Sequence, residues 1–276
     1  VPGVYDALTA RLAETAGFAA LYLSGASLSY SRLARPDVGL ITLEETVQAA
    51  RAITNAVRLP LIVDVDNGYG SVLSLSRAVG ELAKAGVAAV QIEDQAFPKR
   101  CGHLAGKRLV TLEEMLGRLG AALEARGDSQ VLIIARTDAR AVTGLEDAIA
   151  RGRAYAQAGA DMIFVEAPES AEELRYIAAS IDAPLVANMV EGGKTPLLPA
   201  SELAAMGYRL VLYPGAIART VAWAVLQMLS TLISHGTTAP YLDRMLSFQQ
   251  LNDLLGLKEL QEMESRFTPS AIQKEV

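Results

Sequence analysis

The chain has 276 residues and a formal net charge of -6, and 51% of it is hydrophobic although only 5% is aromatic. That length suits one β/α barrel, which needs about 250 residues, and a core of Ala, Val, Leu and Ile favours α/β over all-β architecture. A single cysteine excludes an intrachain disulfide, no basic block supports nucleic-acid binding, and neither a leader nor an apolar run of about 18 residues is evident. The expectation is a soluble cytoplasmic protein with no nucleic-acid or membrane partner.

In chain order, Val1 to Asp6 leads into a helical pattern over Ala7 to Ala16, closed by Gly17. Phe18 to Leu23 then reads as a buried strand running into a small-residue loop, Ser24-Gly25-Ala26-Ser27. The phrase recurs as LAETAGFAALYLSG, LAKAGVAAVQIED, YAQAGADMIFVEA and LAAMGYRLVLYP, with Gly17, Gly86, Gly159 and Gly207 at helix ends. Those glycines fit the left-handed cap that ends many helices. A second phrase fills the gaps. Thr42 to Glu45 and Thr111 to Glu114 both read as capping boxes opening helices. Strands are expected near Pro2, Leu21, Ile62, Val90, Ile133, Phe164, Val186 and Leu212, and eight such units predict a closed parallel (β/α)8 barrel. Gly68-Tyr69-Gly70 is too short for a dinucleotide fingerprint, which disfavours an open doubly wound sheet. Beyond Pro214 the pattern changes: Ala218 to Ser234 reads as a long apolar helix, Tyr241 to Phe267 as amphipathic helix, and Pro269 to Val276 as a charged tail. The expected organisation is one barrel domain over 1–276, with a helical extension over about 218–268 whose apolar faces suit packing on another subunit.

Barrel chemistry sits at the C-terminal ends of strands. Nearly every strand here ends in polar residues: Tyr22 and Ser24, Asp64 and Asp66, Glu93 and Asp94, Arg136 and Asp138, Glu166, Asn188, and Tyr213 with Arg219 beyond. Asp64, Asp66 and Glu93 are hard oxygen donors on neighbouring strands, and strand alternation would point Asp64 and Asp66 the same way. They make a Mg2+ site, with Mn2+ as a substitute; the ordinary alternative is that one aspartate caps the next helix. Arg136 suits a substrate carboxylate, or else an ion pair with a nearby acid. The densest reactive stretch is Pro98 to His103, followed by Gly106-Lys107, which sets Cys101 among Lys99, Arg100, His103 and Lys107. Positive charge there is expected to lower the thiol pKa, and the glycines to make the loop mobile.

The phrases VDVDNGYG, QIEDQ, PKRCGH, ARTDAR, FVEAP and ANMVEGGKTP, in this order and at strand ends, resemble the isocitrate lyase and phosphoenolpyruvate mutase superfamily, nearly end to end. The resemblance implies a β/α barrel, Mg2+, an α-keto or α-hydroxy carboxylate as small-molecule partner, and a homotetramer exchanging C-terminal helices. The cysteine of the Cys-Gly-His loop marks the acid lyases rather than the phosphonate mutases and hydrolases, so it implies carbon–carbon cleavage to pyruvate or glyoxylate through an enolate protonated by Cys101. By the same resemblance Tyr22, Lys99 and His103 assist catalysis, and Asp64 binds Mg2+ with Asp66 and Glu93 acting mostly through water. Ser24, Gly25 and Ala26 would hold the keto-acid carboxylate; Asp37, Arg100, Gly102 and Arg136 would contact substrate; Glu166, Asn188 and Thr195 would line the half-pocket for the second acid. Phe164, Leu212 and Pro214 match positions that accommodate a substrate methyl in methylisocitrate lyases. Arg219 matches a contact to a further carboxylate in the same enzymes. The phrasing is nearest the branch of 2-methylisocitrate lyases, 2,3-dimethylmalate lyases and the petal death protein. Oxaloacetate hydrolases carry serine where this chain has Pro214, which ranks hydrolysis below lyase; phosphonate chemistry and a non-catalytic keto-acid binder rank lower still.

Overall fold

The computed structural model of the chain describes residues 1–268, so the charged tail read from Pro269 onward lies outside the described residues. Eight strands carry the fold: β1 (Gly3–Val4), β2 (Leu21–Leu23), β3 (Leu61–Asp64), β4 (Ala89–Glu93), β5 (Leu132–Thr137), β6 (Met162–Val165), β7 (Leu185–Asn188) and β8 (Tyr208–Leu212). They pair in chain order, each parallel to the next. A parallel bridge between Pro2 and Tyr213, with Gly3 N 2.9 Å from Tyr213 O and Tyr213 N 3.0 Å from Val1 O, brings β8 back to β1 and nearly closes the barrel. All eight strands lie where the apolar runs placed them.

Between them run α1 (Ala7–Thr15), α2 (Gly25–Leu33), α3 (Leu43–Ala56), α4 (Val72–Lys84), α5 (Leu112–Arg126), α6 (Leu145–Gln157), α7 (Ala171–Ser180) and α8 (Ala200–Met206). The capping box at Thr42 is complete, since Thr42 Oγ1 accepts from Glu45 N and Glu45 Oε2 accepts from Thr42 N at 2.8 Å. At Thr111 only half forms: the hydroxyl accepts from Glu114 N, while the Glu114 carboxylate pairs with Arg118 at 2.8 Å. A full guanidinium charge outcompetes a backbone amide for that carboxylate. Gly17, Gly86, Gly159 and Gly207 do take positive φ, between 78° and 111°.

Strand alternation sorts side chains into two layers. Leu21, Leu23, Leu61, Val63, Val90, Ile92, Ile133, Ile163 and Leu185 pack outward against the helices. Tyr22, Ile62, Ala89, Ile134, Phe164, Val186 and Leu212 form a separate cluster filling the barrel interior. Asp64, Gln91, Glu93, Arg136 and Asn188 follow the interior residues of their strands by two or four positions, so the register that fills the barrel also aims polar groups along its axis at the strand ends.

The chain divides into two compact units, Val1–Arg219 and Thr220 onward. α9 (Ala216–His235) begins in the first and runs into the second. It has no buried residue: Trp223 is 60% exposed and Ile233 86%. An 18-residue stretch of it has a mean hydropathy of 1.5, so by length and composition alone the helix could cross a membrane; the sequence pattern gave a long apolar helix there but no membrane-length apolar run, because Arg219, Thr220, Gln227, Ser230 and Thr231 interrupt it. The helical reading of 241–267 resolves into a 3-10 segment (Ala239–Arg244), α10 (Phe248–Leu254) and α11 (Leu257–Phe267). The last break falls at Gly256, whose φ of 77° a helix interior does not accommodate.

Candidate active site

A cavity at the C-terminal ends of the strands is lined by Tyr22, Ser24, Ala26, Asp37, Asp64, Cys101, Gly102, His103, Arg136, Glu166, Asn188, Pro214 and Arg219, all singled out in the sequence, together with Tyr30, Val190 and Gly215, which were not. Ser24 to Ser27 is no loop, because Ser24 caps α2, its hydroxyl accepting from Ser27 N at 3.2 Å. A helix starting there makes Tyr30 findable, since it lies four residues beyond Ala26 on the same face. Expecting a loop hid it.

The carboxylates converge beside Gly25. A Cβ added at that glycine would lie 3.1 Å from Asp64 Oδ2 and 3.5 Å from Asp66 Oδ1. Simple strand alternation does not produce this, because β3 ends at Asp64 and Asp66 turns into the left-handed region at φ 52°. The turn lets Asp66 N donate to Asp64 Oδ1 at 3.1 Å. Glu93 is buried, and its Oε1 has no hydrogen-bond partner. Burial raises the Glu93 carboxyl well above its usual range despite Arg136, and raises Asp66 to about 7 against the pull of Lys99. Buried carboxylates this costly suit a divalent cation, whose charge would remove the penalty. Among the described residues no three His, Cys, Asp or Glu side chains gather tightly enough to ligate one ion directly. The donor set therefore fits an ion that keeps several waters.

Arg136 is shared among acids. Its Nε lies 2.9 Å from Asp138 Oδ2 and 3.5 Å from Glu93, and its Nη1 lies 3.5 Å from Glu166, while the guanidinium sits 5.3 Å above the Phe164 ring. It makes the ion pairs that were the alternative reading of it, and it also lines the cavity. Glu166 is fully buried, yet Arg136 and His103 overcome the effect of burial and hold its carboxyl down at about 2. Asn188 Nδ2 donates to Glu166 Oε2 at 3.2 Å, leaving its own Oδ1 without a partner.

The loop from Pro98 to Lys107 folds down over these groups. Cys101 N donates to Asp37 O at 3.2 Å, and Lys194 N donates to His103 Nδ1 at 3.1 Å, with Nε2 3.0 Å from Glu166. Gly102 has no room for a side chain, since a Cβ would meet Arg136 Nη2 at 2.5 Å and Glu166 Cγ at 2.6 Å.

Several expected neighbours of the thiol are elsewhere. Lys99 is buried between Asp37 and Asp66, 2.6 Å from the latter, where these acids outweigh desolvation and raise its pKa well above the ordinary value. It faces a second cavity with Asp66, Asn67 and Tyr69 rather than Cys101. Arg100 is exposed and donates to Ala105 O at 3.3 Å, away from the cavity. With those cations engaged, burial raises the Cys101 thiol pKa instead of lowering it. Phe164 and Leu212 belong to the barrel interior and do not line the cavity. Thr195 is buried with its hydroxyl unpartnered and also lies off the wall. Tyr22 is buried, its hydroxyl donating to Gln91 Oε1 at 3.2 Å, and burial with Asp64 keeps the phenol neutral. Arg219 reaches the cavity rim but donates to Glu191 O at 2.5 Å and lies 3.4 Å from the Glu191 carboxylate.

Comparison with known proteins places this geometry. Over 266 residues the chain is 44% identical to 2,3-dimethylmalate lyase of Eubacterium barkeri, covering 96% of this chain and 92% of that protein. Over 270 residues it is 45% identical to 2-methylisocitrate lyase of Aeropyrum pernix, covering 98% of this chain and 87% of that protein. A crystal structure of 2,3-dimethylmalate lyase superposes with a TM-score of 0.92 at 38% identity, covering 100% of this chain and 92% of the other. The family model described as phosphoenolpyruvate phosphomutase matches residues 1–233, and the chain belongs to that family.

Proposed function

We propose that the protein is a Mg2+-dependent carbon–carbon lyase that cleaves a 2-hydroxy dicarboxylate of the 2,3-dialkylmalate type to pyruvate and a second acid. The carrying observation is the Cys101 thiol in one cavity wall with Asp64, Arg136 and Glu166, and with burial keeping it protonated. Relatives named as 2,3-dimethylmalate and 2-methylisocitrate lyases support the reaction class. Asp64 would hold the ion directly, with Asp66 and Glu93 contributing through water. Bound Mg2+ would supply Lewis acidity at the substrate's 2-oxygen and adjoining carboxylate.

The protein's own groups do the rest. Ser24 and the amides opening α2 receive the carboxylate of the pyruvate half, because a helix N-terminus presents free N–H donors. Arg136 holds charge on the substrate, fixed in place by Asp138. Tyr22, as a neutral phenol, hydrogen-bonds the 2-oxygen while the 2-hydroxyl proton passes to water, and the same solvent pool restores the Cys101 thiol after turnover. When the C2–C3 bond breaks, the electron pair moves onto the second acid's α-carbon as an enolate, and Cys101 Sγ–H gives it a proton. Glu166 and Asn188 surround that half, and the closed loop excludes water from the carbanion.

Arg219 favours the dialkylmalate over methylisocitrate, because its guanidinium, although at the cavity rim, is already engaged with Glu191 and is not a free carboxylate receptor. Cys101→Ser tests the reading: turnover is expected to fall by about 10²- to 10⁴-fold, the usual worth of a positioned proton donor, with fold and Mg2+ affinity unchanged. Wild-type turnover in that variant would sink it. A homotetramer exchanging its C-terminal helices is proposed alongside, supported by the exposed apolar residues of α9.

A further inference from the structure

We propose that Lys107 is a positioning residue, a latch whose ammonium pins the Cys101-Gly102-His103 segment to the carboxylate that also orients Arg136. Its effect on turnover rests on the lyase reading; its effect on the loop does not.

Lys107 lies on the returning limb of the loop, where Ala96 N donates to Arg108 O at 2.8 Å and ties the two stems together. Its side chain is 2% exposed, and a buried ammonium is costly unless its protons find acceptors. Two acceptors meet it: Asp138 Oδ1, at 2.7 Å, and the carbonyl of Gly102 in the catalytic segment. Were the segment to lift, the second acceptor would leave and the ammonium would remain buried with one fewer partner. The closed state is therefore the satisfied one.

Asp138 is committed to two cations. The same carboxylate takes Arg136 Nε at 2.9 Å and Arg136 Nη2 at 3.1 Å. It cannot shift to suit either, because its own N–H is held by Asp94 Oδ1 at 2.9 Å, and Asp94 in turn accepts from Thr137 Oγ1 at 2.7 Å and Tyr155 Oη at 2.8 Å. Gly102 completes the circuit, pressed so closely on Arg136 that a methyl would overlap it. Loop position and arginine position are thus fixed by one group, with His103 anchoring the far side of Cys101. Losing the Lys107 charge leaves Arg136 its carboxylate, so the damage should fall on the loop and not on substrate affinity.

The test uses the full chain and Lys107→Met. Without substrate, alkylation of Cys101 by iodoacetamide is expected to quicken by about tenfold or more as the segment opens, and kcat for 2,3-dimethylmalate to fall about tenfold or more while KM moves less than about threefold. Unchanged alkylation with unchanged kcat overturns the latch. Should wild type turn over neither 2,3-dimethylmalate nor 2-methylisocitrate, the lyase reading fails, and the alkylation ratio still decides the latch alone. If the variant does not fold, amide exchange in the unaltered protein decides. The Cys101 and Leu104 amides should then be protected without ligand, and exchange on the order of seconds, as in an untethered loop, overturns the proposal.

Discussion

At Cys101 burial outweighs charge. The thiol sits beside cations in sequence, but Lys99 faces two aspartates and Arg100 faces outward, so nothing stabilises a thiolate enough to offset desolvation. This matters for the assignment, because a raised thiol pKa suits a proton donor and not a nucleophile. The acid must be protonated to act, so kcat should hold through neutral and mildly alkaline pH and fall only as pH rises past the ordinary thiol range. A pH profile of kcat checks this; an alkaline limb near neutrality, absent from Cys101→Ser, would show a lowered pKa instead. Asp94 is the corresponding structural residue, with Arg151 at 3.3 Å adding to the donors already named. Asp94→Ala would leave the Tyr155 and Thr137 hydroxyls and the Asp138 amide without their acceptor, while Arg151 keeps Asp147 and Val110 O, and should cost about 3–5 kcal/mol, read by urea unfolding.

At the scale of elements, the strands were legible and the approaches to them were not. Apolar runs with glycine-ended helices located all eight strands, because a barrel buries both faces of every strand and period and length then agree. Residues that follow the interior register, such as Asp64, Glu93, Arg136 and Asn188, were found with them. Asp66 was found for a reason that fails, since the backbone leaves the strand before reaching it. Val190 and Gly215 escaped because their approach to the cavity depends on the tertiary placement of two loops, which carries no periodic signal, and Tyr30 escaped because Ser24 to Ser27 read as a loop instead of the start of α2. Arg100 and Lys99 were misjudged for the same reason: adjacency in sequence does not say which way a loop side chain turns. Gly102 gives an element-scale prediction. Gly102→Ala would drive its methyl into Arg136 and Glu166, so the loop must lift; kcat is expected to fall at least about tenfold, with Cys101 becoming more reactive to alkylation and the thermal unfolding midpoint changing by less than about 3 °C.

For the whole molecule, the two units differ in what they carry. The barrel unit carries every group proposed to act on substrate. From Thr220 onward the chain shows exposed Trp223, Leu226, Ile233 and Phe248 instead, more apolar surface than an isolated monomer keeps at ease. Exchange of these helices among four copies would cover it. Light scattering should give a mass near four times 29.3 kDa, and Ile233→Asp should shift it downward; a monomeric wild type would contradict the exchange.

Carbon–carbon cleavage as proposed needs both a divalent cation and the Cys101 proton. Its most direct test is pyruvate release from 2,3-dimethylmalate and 2-methylisocitrate, followed side by side with Mg2+ and with EDTA. Mg2+-dependent release is expected, faster from 2,3-dimethylmalate and lost in Cys101→Ser. Release from neither acid, or release undiminished by EDTA, would contradict it.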